Sequence, residues 1–177
     1  MRKNIPTIFA VGHSTREIKS FLELLKAHSI DLLVDIRTIP RSRHNPQFNE
    51  ENLKKALKDN TIDYIHLTGL GGLRHPHKDS INYGWRNASF RGFADYMQTE
   101  EFESSLEELI DLGKKHVVAI MCAEGNPFRC HRSLVADALL ARHIKTLHIS
   151  SVKSSREHAL TPFAKVENHK ITYPSKV

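Results

Sequence analysis

The chain has 177 residues, 40% of them apolar and 26% charged, and carries a formal net charge of +6. These figures describe one soluble globular domain with a full core, expected over residues 1–177, and no apolar run approaches the roughly 20 residues that cross a bilayer, which excludes a helical membrane protein. Two cysteines cannot build a disulfide framework, and residues 1–7 lack the apolar stretch of a secretory leader, so the expected compartment is the cytoplasm and the two cysteines are expected as thiols, ligands or redox partners.

The first expected strand is residues 7–11, running into the turn Gly12, His13, Ser14 and Thr15. Ser14 followed three residues later by Glu17 fits a capping box, and Ile18, Phe21, Leu22 and Leu25 then share one helix face. Residues 30–36 read as a second, buried strand. Its exit carries Arg37, Arg41 and Arg43 together with Pro40 and Pro46, and two prolines exclude a regular element there. A short helix over 49–58 turns Leu53, Ala56 and Leu57 inward, and residues 63–67 form a third strand. Residues 68–91 are glycine-rich at first and then irregular, the kind of long connection that is functional or mobile. A helix opens within 93–97, and Phe102, Leu106, Leu109, Ile110 and Leu112 give a clear amphipathic helix ending at Gly113.

Residues 117–122 are a β-branched, apolar run that reads as a buried strand, followed by a helix bearing Leu134, Val135, Ala138 and Leu139. A last strand covers 144–149, and the tail suggests a small hairpin turning at Asn168 and His169. The expected fold is therefore α/β: a mostly parallel central sheet with helices on both faces, three layers, and a small C-terminal hairpin. Ligands of such sheets sit beyond the carboxyl ends of the strands, at a topological switch point. The loops 12–15, 37–46, 68–91 and 122–132 all leave such ends and are expected to gather on one edge.

The chemistry concentrates in those loops. Arg37, Arg41, Arg43, Arg74, Arg86, Arg91, Arg129 and Arg132 lie in them or where they meet helices, and the guanidinium fork matches carboxylate and phosphate. Cys122, between a strand end and a helix start, is placed as a nucleophile. A cysteine-phosphatase loop would place arginine six residues later, where this chain has Phe128, so phosphatase chemistry is not expected. Glu124 and His131 are the acid/base candidates, Glu124 being expected near His131 and the arginines, with a competing use in ordering its own loop by capping and pairing. His13, Ser14, Asp35, Arg37, Arg43, Gly71, Arg91, Cys130 and Arg132 are the expected anion-binding residues. The seven-residue gap between the cysteines does not suit zinc, so no metal site is expected. Residues 69–72 lack the endings of a phosphate loop and of a dinucleotide fingerprint, and no cofactor is expected.

Taken together, Gly12-His13-Ser14, Asp35-Ile36-Arg37 with Pro40, Ser42 and Arg43, Leu70-Gly71-Gly72, the tail around His158, Leu160, Thr161, Pro162, Phe163 and Ala164, and above all Cys122-x-Glu124-x-x-Pro127-x-x-Cys130-His131-Arg132 resemble the prokaryotic family named domain of unknown function 488. The resemblance implies a soluble α/β protein and implies no particular reaction.

Three functional classes follow. The first is an enzyme acting on an anionic, phosphate- or nucleotide-containing substrate, by hydrolysis or group transfer through Cys122, Glu124 and His131. The second is a non-catalytic binder of nucleic acid or nucleotides, with Tyr83, Trp85 and Phe90 interleaved with Arg86 and Arg91 for stacking and phosphate contact. In that class the aromatics have a competing use, pinning the long loop to the core. The third is a zinc or thiol-redox module built on Cys122 and Cys130. An anionic small molecule or nucleic acid is the expected partner and a membrane is not; oligomeric state is open.

Overall fold

Five strands with short, largely apolar sequences lie side by side in parallel: β1 (Ile8–Gly12), β2 (Leu32–Asp35), β3 (Asp63–His66), β4 (Val118–Cys122) and β5 (Thr146–Ser151). The computed structural model describes residues 5–175; residues 1–4, part of the segment read for a secretory leader, lie outside the described residues. β6 (Ser154–Glu157) adds an antiparallel edge, giving the order β3-β2-β4-β1-β5-β6. The C-terminal hairpin is β7 (Lys165–Glu167) and β8 (Lys170–Thr172). It turns through Asn168 and His169, both at positive φ (49° and 70°), as a two-residue hairpin turn requires.

Strand residues alternate between two apolar layers. Val11, Leu33, Ala119 and Met121 pack against Phe21, Leu24 and Leu25 of α1 (Ile18–Ala27) and Leu53 and Leu57 of α2 (Glu50–Lys58). Ile8, Ala10, Leu32, Val34, Val118 and Ile120 pack on the other face against Phe93 of α3 (Ala88–Tyr96), Phe102, Leu106 and Leu109 of α4 (Glu100–Lys115), and Leu134 and Val135 of α5 (Arg132–Leu140). The expected three-layer α/β sheet is therefore present. Crossovers toward β3 carry α1 and α2 on one face, and crossovers the other way carry α3, α4 and α5 on the opposite face. This is the arrangement that right-handed connections impose.

Several local expectations give way to tertiary contacts. There is no capping box at Ser14: α1 starts at Ile18 with Glu17 as an N-cap that makes no side-chain bond. Ser14 instead has φ 50° and donates its amide to the Ala123 carbonyl at 2.9 Å, tying the loop after β1 to the loop after β4. Gly113 does not end α4. It lies in the last turn because a Cβ there would meet Ile8 Cδ1 at 2.6 Å. β6 carries no apolar signal, all four of its residues being exposed, so its pairing with β5 was invisible in the sequence. No helix among the described residues is long and apolar enough to cross a membrane.

The tail is fastened to α5 by a buried carboxylate. Asp137 accepts from His158 Nε2 at 2.7 Å, from the Thr161 amide at 3.1 Å, and from the Thr161 and Tyr173 hydroxyls at 2.7 Å each. Its removal leaves the buried donors of His158 and Tyr173 and the two part-buried donors of Thr161 without their acceptor. Asp137→Ala is expected to cost about 3–5 kcal/mol, the range for breaking a buried charged network, and to let trypsin cut the tail at Lys165 or Lys170 first. Denaturant unfolding with timed proteolysis checks both; a loss under about 1 kcal/mol would show that the network does not hold the tail.

Candidate functional site

The site grows from the neighbourhood of β1 and β4. Gly12 pairs with Cys122, and Asp35 at the end of β2 pairs with Met121. The chain leaves β1 toward one face of the sheet and β4 toward the other, so a crevice opens at their carboxyl ends. The loops close around it through backbone bonds: the His13 amide donates to the Cys122 carbonyl at 2.9 Å, as Ser14 does to Ala123. The expected gathering of the four loops on one edge is thus what the structure has.

Arg132, the first residue of α5, is 1% exposed. Its Nη1 donates to Cys122 Sγ at 2.8 Å and to the Glu124 carbonyl at 2.5 Å, and its Nη2 donates to the Gly125 carbonyl at 3.1 Å. Its buried Nε has no partner, and among the described residues no carboxylate forms an ion pair with it. Gly12 makes room for this crossing, since a Cβ there would lie 1.8 Å from the Glu124 carbonyl oxygen and 2.7 Å from Arg132 Nη1.

Cys130 donates its thiol proton to Cys122 Sγ at 2.7 Å, and both cysteines are free and buried. Burial pushes the Cys122 thiol up, but the bond from Cys130 and the charge and bond of Arg132 outweigh it and bring it down to about 7. The Cys130 thiol is pushed far up, first by the proton it shares with Cys122 and then by burial. The pair is thus polarised, thiolate at Cys122 and thiol at Cys130.

His131 supports Cys130 from the other side. Its Nε2 donates to the carbonyls of Ile36 at 3.1 Å and Leu70 at 3.0 Å. Carbonyls only accept, so Nε2 carries the hydrogen. Burial holds the imidazole down to about 4, with the carbonyl bonds opposing. The ring is therefore neutral, and the Nδ1 lone pair faces Cys130 Sγ at 3.6 Å. Gly72 packs flat on the ring, where a Cβ would reach Nδ1 at 2.6 Å.

A cleft of about 340 Å³ opens over these groups. It is lined by Arg37, Thr38, Ile39 and Arg41 from the loop after β2, by Gly72, Leu73, Ser89 and Phe90, and by Cys122, Ala123, Glu124, Arg129, Cys130 and His131. Cys122, Glu124, His131, Cys130 and Arg37 all line this cleft, with Arg132 directly beneath.

Other candidates fall elsewhere. Asp35 neutralises Arg37 through Nε at 2.9 Å and Nη2 at 2.7 Å, and accepts from the Tyr64 hydroxyl at 2.6 Å. Arg37 Nη2 also donates to the Phe48 carbonyl at 2.8 Å, so little of its fork is left for a ligand. His13 is buried, stacks on Phe48 with ring centroids 4.2 Å apart, and donates through Nδ1 to the Ser14 carbonyl at 2.8 Å. Its Nε2 lone pair faces Arg37 Nη1 at 3.4 Å, away from the cysteines. Burial lowers its pKa further. Gly71 is buried against Thr38 rather than open to the cleft.

Glu124 takes up the loop-ordering use: its carboxylate is exposed at the cleft and accepts from the Asn126 amide at 3.0 Å, ordering the turn before Pro127, and it forms no ion pair with His131 or an arginine among the described residues. Arg43 is exposed outside the cleft lining. Arg91 is spent on the Trp85 carbonyl at 3.3 Å and on the Tyr83 ring. Trp85 packs against Phe90, Phe163 and Tyr173, so it pins the loop and does not offer a stacking face. Arg41 and Arg129, exposed at the cleft, are the cations that the choice of Arg43 and Arg91 missed; Arg129 adjoins Cys130 in sequence and was the better signal. Among the described residues no three His, Cys, Asp or Glu side chains are arranged to hold a metal ion.

A family model for Domain of unknown function DUF488 matches residues 17–139. The chain belongs to this family. The DUF488 match runs from before α1 to near the end of α5, so it takes in Asp35, Arg37, Gly71 and the whole segment from Cys122 to Arg132. His13, Ser14 and the tail fastened to Asp137 lie outside it. No curated protein and no solved structure matches the chain.

The polarised pair can be titrated. Alkylation of Cys122, followed by peptide mass spectrometry, is expected to rise with pH around a midpoint near 7. Because the bond from Cys130 remains and the charge and bond of Arg132 are lost, Arg132→Met should raise the midpoint and slow the reaction at pH 7. A midpoint unmoved by that change, in a protein whose circular dichroism is intact, would refute the pairing. Linkage gives a second check. The folded state releases the Cys122 proton near 7 and the unfolded chain only near 9.0, so Cys122's contribution to stability is lost as pH falls through 7 and is full above 9. Cys130, shifted the other way, takes stability away above 9. Unfolding free energy should therefore rise from pH 7 to 9, and a Cys122→Ser, Cys130→Ser double variant should lose that rise, while a fall at higher pH persists through Tyr64, Tyr96 and Tyr173, whose pKa values burial raises.

Proposed function

We propose that the cleft is the active centre of an enzyme whose Cys122 thiolate attacks an electrophilic atom of an anionic substrate. One observation carries this reading: a buried guanidinium that has a sulfur, and no carboxylate, as its acidic partner. A structural arginine is neutralised as Asp35 neutralises Arg37; Arg132 instead holds a nucleophile charged at the floor of a cleft.

The surrounding residues fit that chemistry. Arg41 and Arg129 stand exposed at the cleft and supply positive charge for an anionic group. Ile39, Leu73 and Phe90 provide apolar wall, so the substrate also carries an uncharged portion. Glu124, at the rim, sits where it can exchange a proton with solvent or with a bound group. Neutral His131 fixes Cys130, and Cys130 is the proton donor that a leaving group would meet beside Cys122.

Two alkylating probes of similar size and different charge test both halves. Relative to a cysteine peptide, the ratio of iodoacetate to iodoacetamide rates at Cys122 is expected to be raised roughly ten-fold at low salt, to fall with ionic strength, and to return to the peptide's ratio in Arg41→Ala, Arg129→Ala. A ratio equal to the peptide's at every salt concentration would remove the anionic substrate. A Cys122 inert to both reagents in the folded protein would remove the nucleophile.

A further inference from the structure

We propose that Cys122 and Cys130 form a two-electron dithiol/disulfide couple, with Cys122 the thiol that a hydroperoxide oxidises and Cys130 the thiol that resolves it. The inference rests on the nucleophilic Cys122 of the preceding reading and is independent of its anionic substrate.

Nucleophilic attack by Cys122 does not by itself need a second cysteine. Yet Cys130, eight residues on, is folded back so that its sulfur lies 2.7 Å from that of Cys122, and both line the cleft. The second sulfur has the supports that a resolving thiol needs. The Nδ1 lone pair of neutral His131 stands 3.6 Å from it and fixes its position. The Arg132 amide, in the first turn of the nine-residue α5, donates to it at 3.5 Å and favours its thiolate. A hydroperoxide is small and neutral, so it needs no recognition beyond access to the cleft.

The steps balance. The Cys122 thiolate attacks the distal oxygen of the hydroperoxide; the O–O bond breaks, the alkoxide or hydroxide leaves and takes a proton from water, and Cys122 becomes a sulfenic acid. Cys130 attacks the Cys122 sulfur and gives its proton to the departing oxygen. The S–O bond breaks, hydroxide departs with that proton as water, and the S–S bond forms. The two sulfurs lose two electrons and the peroxide gains them. An external thiol returns the pair to its reduced state.

The test uses the full chain, reduced, exposed to equimolar hydrogen peroxide and quenched with N-ethylmaleimide. Wild type is expected to lose two hydrogens, to bind no maleimide, to yield a peptide linked through Cys122 and Cys130, and to recover both thiols with dithiothreitol. Cys130→Ser is expected to stop at a Cys122 sulfenic acid that dimedone traps; Cys130→Ala serves the same purpose if the serine variant loses its circular dichroism. Dimedone labelling as strong in wild type as in these variants would overturn the resolving role. A wild-type Cys122 that iodoacetate labels but peroxide leaves unchanged would overturn the couple while leaving the preceding reading intact. A Cys122 inert to both reagents would overturn both.

Discussion

A buried positive charge is expensive, and this fold gives Arg132 an answer that shapes everything around it. The guanidinium is removed from water and held by the Glu124 and Gly125 carbonyls, with the Cys122 sulfur as its only acidic contact among the described residues. Carbonyl dipoles lower the cost of burial, but a charge this deep favours a negative partner. The nearest group able to become one is a thiol. The same contact therefore keeps Arg132 buried and keeps Cys122 charged. The loop from Ala123 to Gly125 must follow a path that turns its carbonyls inward, and β1 must carry glycine at position 12 to let that path pass.

The neighbouring cluster shows the contrast. Arg37 is as deeply placed, yet Asp35 meets it with two oxygens, and Tyr64, Phe48 and His13 take up what remains. That group is closed on itself and stabilises the ends of β2 and β3. Two arginines on adjacent strand exits thus end differently because one faces a carboxylate and the other a thiol.

α5 links the reactive end of the molecule to the far tail. Its first residue, Arg132, sets the state of Cys122; His131, just before it, bonds the carbonyls of Ile36 and Leu70 and so holds two other loops in place; and Asp137, one and a half turns on, gathers His158, Thr161 and Tyr173. The long loop before α3 is held by the same tail, through Trp85 against Phe163 and Tyr173. A short helix with three polar anchors, two of them fully buried, therefore positions the site from several directions at once.

Much of this was legible in the chain itself. The apolar runs at β1, β2 and β4, the helix faces of α1, α2 and α4, and the turn at Asn168 and His169 are local patterns, set by burial period and turn chemistry, and they name the α/β class and the edge where function collects. The clustering of Cys122, Cys130, His131 and Arg132 between a buried strand and a helix start marked the stretch over which the cleft opens. What the residues could not reveal was pairing. Ser14 followed by Glu17 satisfies a local capping rule, but a backbone bond to Ala123 took precedence; β6 has no apolar signature because its partner strand, and not its own side chains, makes it a strand. Glu124 looked like the reactive carboxylate because its identity was visible and its direction was not. Arg37 meets a carboxylate two residues away and Arg132 a sulfur ten residues away, but spacing does not give the direction of a side chain, and Arg41 and Arg129 share one cleft only because loops 88 residues apart come together; only the tertiary structure decides those.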